Sequence, residues 1–154
     1  MSETTKTEST AALNELGDAL AKASAQSLSG PRERLGESLL QSALARWENP
    51  EMRPKLLANL AHATNTKEGA EALRTFLYSF LFAQVGIALE DRPMDIDQVA
   101  ETLGVPVINI NAAAAQVWGV VMYRYVLELE PIASASPEEL IELLSPTIQN
   151  YLIG

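Results

Sequence analysis

The chain has no cysteine and one histidine, His62, in 154 residues. Without thiols it forms no disulfide and no thiolate metal site, and a reducing cytoplasm is the simplest setting. One imidazole would leave zinc dependent on carboxylates, so no metal and no cofactor is predicted. Cations are scarce too: 11 Lys and Arg stand against 20 Asp and Glu, a formal net charge of −9. Binding to a phosphate backbone needs clustered positive charge. Arg32 with Arg34 and Arg53 with Lys55 are the only local concentrations, and they read as solvated helix faces. Direct nucleic-acid binding by this chain is not expected. The longest apolar run, Phe76 to Leu89, is interrupted by Ser79, Gln84 and Gly86. It falls short of the roughly 18–20 residues of a membrane span, so no membrane contact is predicted.

Catalytic patterns are missing as well. There is no Gly-rich phosphate loop, no G-x-S-x-G and no H-E-x-x-H. Glu128 and Glu130 are two apart and face different ways on a helix. Glu138, Glu139 and Glu142 suit the positive end of a helix dipole. Neither group forms a general acid/base pair, and an enzyme is not predicted. His62, near a helix end, reads as a surface or capping residue.

What is present is helical spacing almost throughout. Residues 1–9 are polar and read as a disordered tail. Leu13, Leu16 and Leu20 give a narrow stripe over about 10–25. After Pro31, Leu35, Leu39, Leu40, Ala43, Leu44 and Trp47 predict a helix, which Asn49-Pro50 ends while Asn49 caps the next. A long helix is expected from Lys67 to Leu89. A short one follows, capped by Asp95 with Gln98 three residues on and closed by Gly104. Val105 to Ile110 is ambiguous. From Ile110 to Leu129 apolar residues cover well over half the helix circumference, which predicts burial on more than one side. Ala112 to Ala115 and Gly119 would let a neighbouring helix approach closely. Pro131 is expected to end that helix. Ser136-Pro137-Glu138-Glu139 starts the last one, with Ser136 as N-cap and Glu139 completing a capping box. Pro146 is expected to kink it. No segment alternates with period two, so the fold class is all-α with about six to seven helices and no sheet.

Three stretches carry a resemblance: Arg124 to Ser134 (RYVLELEPIAS), Ser136 to Leu140 (SPEEL), and Gln149 to Leu152 (QNYL). Trp47 to Leu57 and Asn109 to Val121 add to it. Together they resemble the C-terminal half of tetracycline-repressor-like (TetR family) transcriptional regulators, over roughly Leu28 to Leu152. The resemblance implies a regulatory domain over 10–154 that binds a small molecule and dimerises through its two C-terminal helices. The family's DNA-binding helix-turn-helix has no counterpart in the sequence. The expectation is therefore a cytoplasmic ligand-sensing and dimerisation domain without a DNA-binding head of its own. The alternative is a structural or interaction domain with a filled core, including a headless subunit that pairs with a full-length regulator and silences it.

Two sets of residues follow. Trp47, Phe76, Phe80, Gln84, Gln116 and Trp118 combine apolar surface with amides on apolar helices, the mix that lines a small-molecule pocket; plain core packing is the competing explanation for each. Val117, Val121, Arg124, Tyr125 and Glu128, with Leu140, Leu144 and Ile148, are expected at the homodimer seam. The guest expected in the pocket is an apolar small molecule.

Overall fold

A computed structural model describes residues 32–153. The 1–9 tail and the helix expected over 10–25 lie outside the described residues. After a 3₁₀ turn at Arg32–Arg34 come α1 (Leu35–Glu48), α2 (Arg53–Asn65), α3 (Lys67–Phe76), α4 (Phe82–Glu90), α5 (Ile96–Leu103), α6 (Val107–Val121) and α7 (Pro137–Ile153). Five-residue π-helical turns at Leu77–Leu81 and Met122–Val126 join α3 to α4 and extend α6. No strand occurs among the described residues, and the all-α expectation holds.

The core is built where apolar stripes meet. Leu40 and Leu44 of α1, Val99 of α5 and Ile148 of α7 are almost completely withdrawn from water. Each such aliphatic side chain contributes about 1.5–3 kcal/mol on burial. α1 and α7 approach backbone to backbone: a Cβ on Gly36 would sit 2.6 Å from the Gln149 nitrogen. The Gly36 N–H donates to Gln149 Oε1 at 2.7 Å, and Gln149 Nε2 donates to the Arg32 carbonyl at 3.2 Å.

Capping sets several boundaries. Asp95 and Gln98 form a reciprocal box at the start of α5, at 2.8 and 3.0 Å. Gly104 then ends it in the left-handed region at φ 73°. Ser136 and Glu139 form the second box, at 3.1 and 3.2 Å, at the start of α7. Thr66 serves two helices: its hydroxyl donates to the His62 carbonyl of α2 and accepts from the Gly69 N–H of α3. The crossing is tight, since a Cβ on Gly69 would lie 2.3 Å from the His62 carbonyl oxygen.

Some boundaries differ from the sequence expectations. Asn49 does not cap α2; its Oδ1 accepts from the Glu51 and Met52 N–H groups in a local turn, and α2 starts at Arg53. The ambiguous Val105–Ile110 stretch is helical from Val107, with α5 and α6 meeting at a bend of 105°. The C-terminal apolar helix stops before Pro131, because Glu128 turns left-handed at φ 51°. The helical run Lys67–Glu90 continues through its π turn for 24 residues and, by length and composition alone, is long and apolar enough to cross a membrane. Counting only Phe76 to Leu89 as a candidate span missed this. In the fold, apolar residues of this run face a cleft instead.

Candidate ligand-binding site

α1, α2, the α3–α4 run and α6 enclose a cleft of about 380 Å³. That volume lies within the range of ~300–1,000 Å³ typical of small-molecule sites. Helix periodicity brings its walls together. On α1 the residues Leu35, Leu39, Ser42, Ala43 and Arg46 fall on one face at spacings of three and four. Leu56, Asn59 and Leu60 oppose them from α2. Leu73, Phe76, Tyr78, Phe82 and Gln84 close the outer side. On α6, Ala113 to Ala115 lie between Ile110 and Val117. Their missing side-chain volume leaves room for the cavity, whereas the sequence reading gave them to helix–helix approach.

The polar groups are few and spread over different helices. Ser42 is 2% exposed and is the buried polar residue of the core. Arg46 lines the same wall. Desolvation by burial pulls its pKa down to about 10, which leaves it protonated at neutral pH. Gln84, Asn59 and Asn111 supply amides, and Tyr78 a phenol.

Four of the expected pocket residues, Trp47, Phe76, Gln84 and Trp118, do line the cleft. Phe80 lies outside the described side chains. Gln116 is corrected: it is exposed on the outer face of α6, turned away by the helical step from its neighbours Val117 and Trp118. Ser42, Arg46 and Asn59 were missed. The signal for Arg46 was a charge in register with an apolar stripe, one turn beyond Ser42.

The expected seam residues are mostly used inside the chain. Val121, Leu140 and Ile148 are 2%, 2% and 1% exposed, so they belong to the core and cannot meet a partner. Leu144 packs half-buried against that core, and Val117 lines the cleft. Glu128 is exposed beyond the end of the helix, so it makes no i,i+4 pair with Arg124.

Arg124 instead reaches across to Glu48, at 3.1 and 3.0 Å, and donates to the Ile132 carbonyl at 2.9 Å. Tyr125 donates to the same Glu48 oxygen at 2.9 Å. Partial burial opposes ionisation of Glu48, yet hydrogen bonds from Tyr125 and Arg124 and the charges of Arg124 and Arg53 hold its carboxyl below the usual value. Burial, reinforced by the contact with Glu48, pushes the Tyr125 phenol up to about 12. The Tyr125 ring stacks on Trp47, centroids 5.5 Å apart at 18°. Trp47 therefore belongs both to the pocket wall and to the charged cluster at the end of α6.

Large apolar side chains that do face water include Ile108 and Tyr123 on or just after α6 and Leu143 on α7, at 70%, 48% and 71% exposed. Gly119 is exposed and falls by helical period on the face of α6 that carries Ile108, with nothing within 4 Å of where its Cβ would be. Among the described residues no group of three or more His, Cys, Asp or Glu is placed to hold a metal.

Comparison with curated proteins and with solved structures gave no match. Residues 33–152 match the family described as "Tetracyclin repressor-like, C-terminal domain". The match spans every described helix and the whole cleft, and the chain therefore belongs to the tetracycline-repressor-like C-terminal domain family, the regulatory domain of TetR-type regulators.

Proposed function

We propose that this domain senses an apolar small molecule in the α1–α2–α3–α6 cleft and passes its occupancy to a homodimer interface. The observation that carries the reading is the cleft itself: about 380 Å³, apolar on most of its wall, in a domain of a regulatory family. A filled-core interaction domain would have no such space. The outer face of α6 and α7, with Ile108, Gly119, Tyr123 and Leu143, is the surface we assign to the partner subunit. Exposed large apolar residues favour association, and a two-fold contact is self-complementary.

The link between the two sites runs through Trp47. A guest pressing on its ring acts on the stacked Tyr125 and, through Glu48 and Arg124, on the segment that leaves α6. A ligand shifts such an equilibrium only by its difference in affinity for the two arrangements. The proposed setting is transcriptional control in the cytoplasm, with the DNA read by a module carried in cis or by a paired subunit.

The test is a thermal-shift screen with apolar and aromatic small molecules, run beside Ala114→Phe, which fills the cleft. A ligand at a hundredfold its Kd stabilises by about 2.7 kcal/mol. For a domain of this size that corresponds to a rise in Tm of about 5–10 °C. The expected result is a rise in the wild type that Ala114→Phe abolishes. A rise of equal size in both proteins would place the binding elsewhere and end the pocket reading.

A further inference from the structure

We infer that the guest of this cleft is a flat aromatic molecule of two or three rings, selected by the aromatic side chains of the walls. The inference rests on the pocket reading above and adds the class of the guest. Aromatic residues are scarce in this chain: two Trp, four Tyr and three Phe. Both tryptophans line the cleft, together with Phe76, Tyr78 and Phe82. The core is of another kind. Leu, Ile, Val and Ala build it with Met94, and no ring belongs to its buried cluster. Phe82, Tyr125 and Tyr151 are partly buried and pack against that cluster without belonging to it. The fold thus closes its core with aliphatic side chains and gathers its rings where it leaves space.

These rings come from three sides: Trp47 from α1, Trp118 from α6, and Phe76, Tyr78 and Phe82 from the α3–α4 run. Two of the contacts that hold them are aromatic as well. Trp47 stacks on Tyr125, and Tyr78 lies tilted against Phe82, centroids 5.8 Å apart at 47°. Rings fixed in advance lose little freedom when a guest arrives. An aromatic face or edge attracts another ring beyond what the buried area alone gives. A saturated ring system offers as much apolar area without that quadrupole, and it is thicker. The cleft of about 380 Å³ holds the volume of about a dozen waters, which suits two or three rings.

Calorimetric titration of the full chain with naphthalene-2-methanol and with its saturated counterpart, decahydronaphthalene-2-methanol, separates ring character from apolar area. The saturated compound is the more hydrophobic of the two, so a cleft that selects on area alone would favour it. The expected result is binding of the aromatic compound at least about fivefold tighter by the wild type. Trp118 and Phe82 are half-buried, and replacing both by Leu keeps the wall apolar while removing two rings. In Trp118→Leu/Phe82→Leu the preference should shrink to about twofold or less. Circular dichroism establishes that the variant is folded, and the wild-type comparison stands without it. Equal binding of the two compounds, or tighter binding of the saturated one, overturns the aromatic guest and leaves the pocket reading standing. A preference that persists undiminished in the folded variant also overturns it, because these rings would not be its source. If neither compound binds, the pocket reading fails for guests of this size and the inference goes with it.

Discussion

On one side of the domain, α1 and α7 pass so close that Gly36 has no room for a Cβ, and Leu40, Val99 and Ile148 are sealed from water. On the other side α2 contributes no buried residue, and Gly69 and Gly86 are the buried residues of α3 and α4. Both sides are helical and both carry apolar stripes. They differ in what the stripes meet: in the closed half, other stripes; in the open half, a cleft. The closed half fixes the frame, and the open half holds the space that a guest would occupy. Elements with few buried contacts also open at lower cost than a packed core.

Substitutions can break or sharpen this contrast. The largest effect is expected at Leu40. Leu40→Ala leaves a cavity in a fully packed site and should cost about 2–5 kcal/mol in urea unfolding. Leu60→Ala, on the half-exposed wall of the cleft, should cost about 1 kcal/mol or less. Equal losses at the two sites would erase the distinction between the halves.

Next comes Gly69→Ala, at the tight crossing of α2 and α3 in the open half. Its Cβ would lie 2.3 Å from the His62 carbonyl oxygen, so backbone has to move. A loss of about 1–3 kcal/mol is expected. Faster hydrogen exchange confined to α2 and α3 would show that the open half yields separately, whereas uniform exchange would show one cooperative unit.

Leu143→Glu should leave the melting temperature of the subunit within a few degrees, because the side chain is 71% exposed. Light scattering should show the wild type as a dimer and Leu143→Glu as a monomer. An unchanged mass would move the interface away from the outer face of α6 and α7.

The smallest effect is expected from Glu48→Gln. The folded carboxyl has its pKa below the reference value of 4.5. Its contribution is therefore present above the unfolded value and disappears as pH falls through the folded one. Glu48 is 40% exposed on its side chain, so the difference at pH 7 should be at most about 1 kcal/mol after screening. Wild type and variant should converge in urea stability once the pH has fallen through the folded value. A gap that persists in acid would mean that shape, rather than charge, holds Tyr125 and Arg124 in place.

Much of the fold was legible because helix period and capping are local. Asp95 with Gln98 and Ser136 with Glu139 could be read as boxes from spacing alone, and both form. Asn49 shows the limit. The same side chain that can cap a helix can instead close a turn, and the choice depends on where Arg53 is pulled. Its Nε donates to the Trp47 carbonyl at 2.6 Å, a contact that fixes the connection. Trp47, Phe76, Gln84 and Trp118 were legible as pocket residues from their type and helix. Arg46 was not, because a charged residue on an amphipathic helix is assigned to solvent unless its register against the stripe is weighed.

The sequence by itself determined that the chain is helical, where most helices start, and which residues are apolar. Family membership was also legible, in the wording of the C-terminal segments. Only the tertiary structure decided which way the apolar faces point. A helix such as α6, apolar on most of its circumference, presents its residues equally to a core, a cleft or a partner. Periodicity gives angles about one axis and says nothing about what stands opposite. The packing of α1 against α7 sent Val121, Leu140 and Ile148 inward. It left Ile108, Tyr123 and Leu143 outside, and placed Arg46 among the residues that line the cleft.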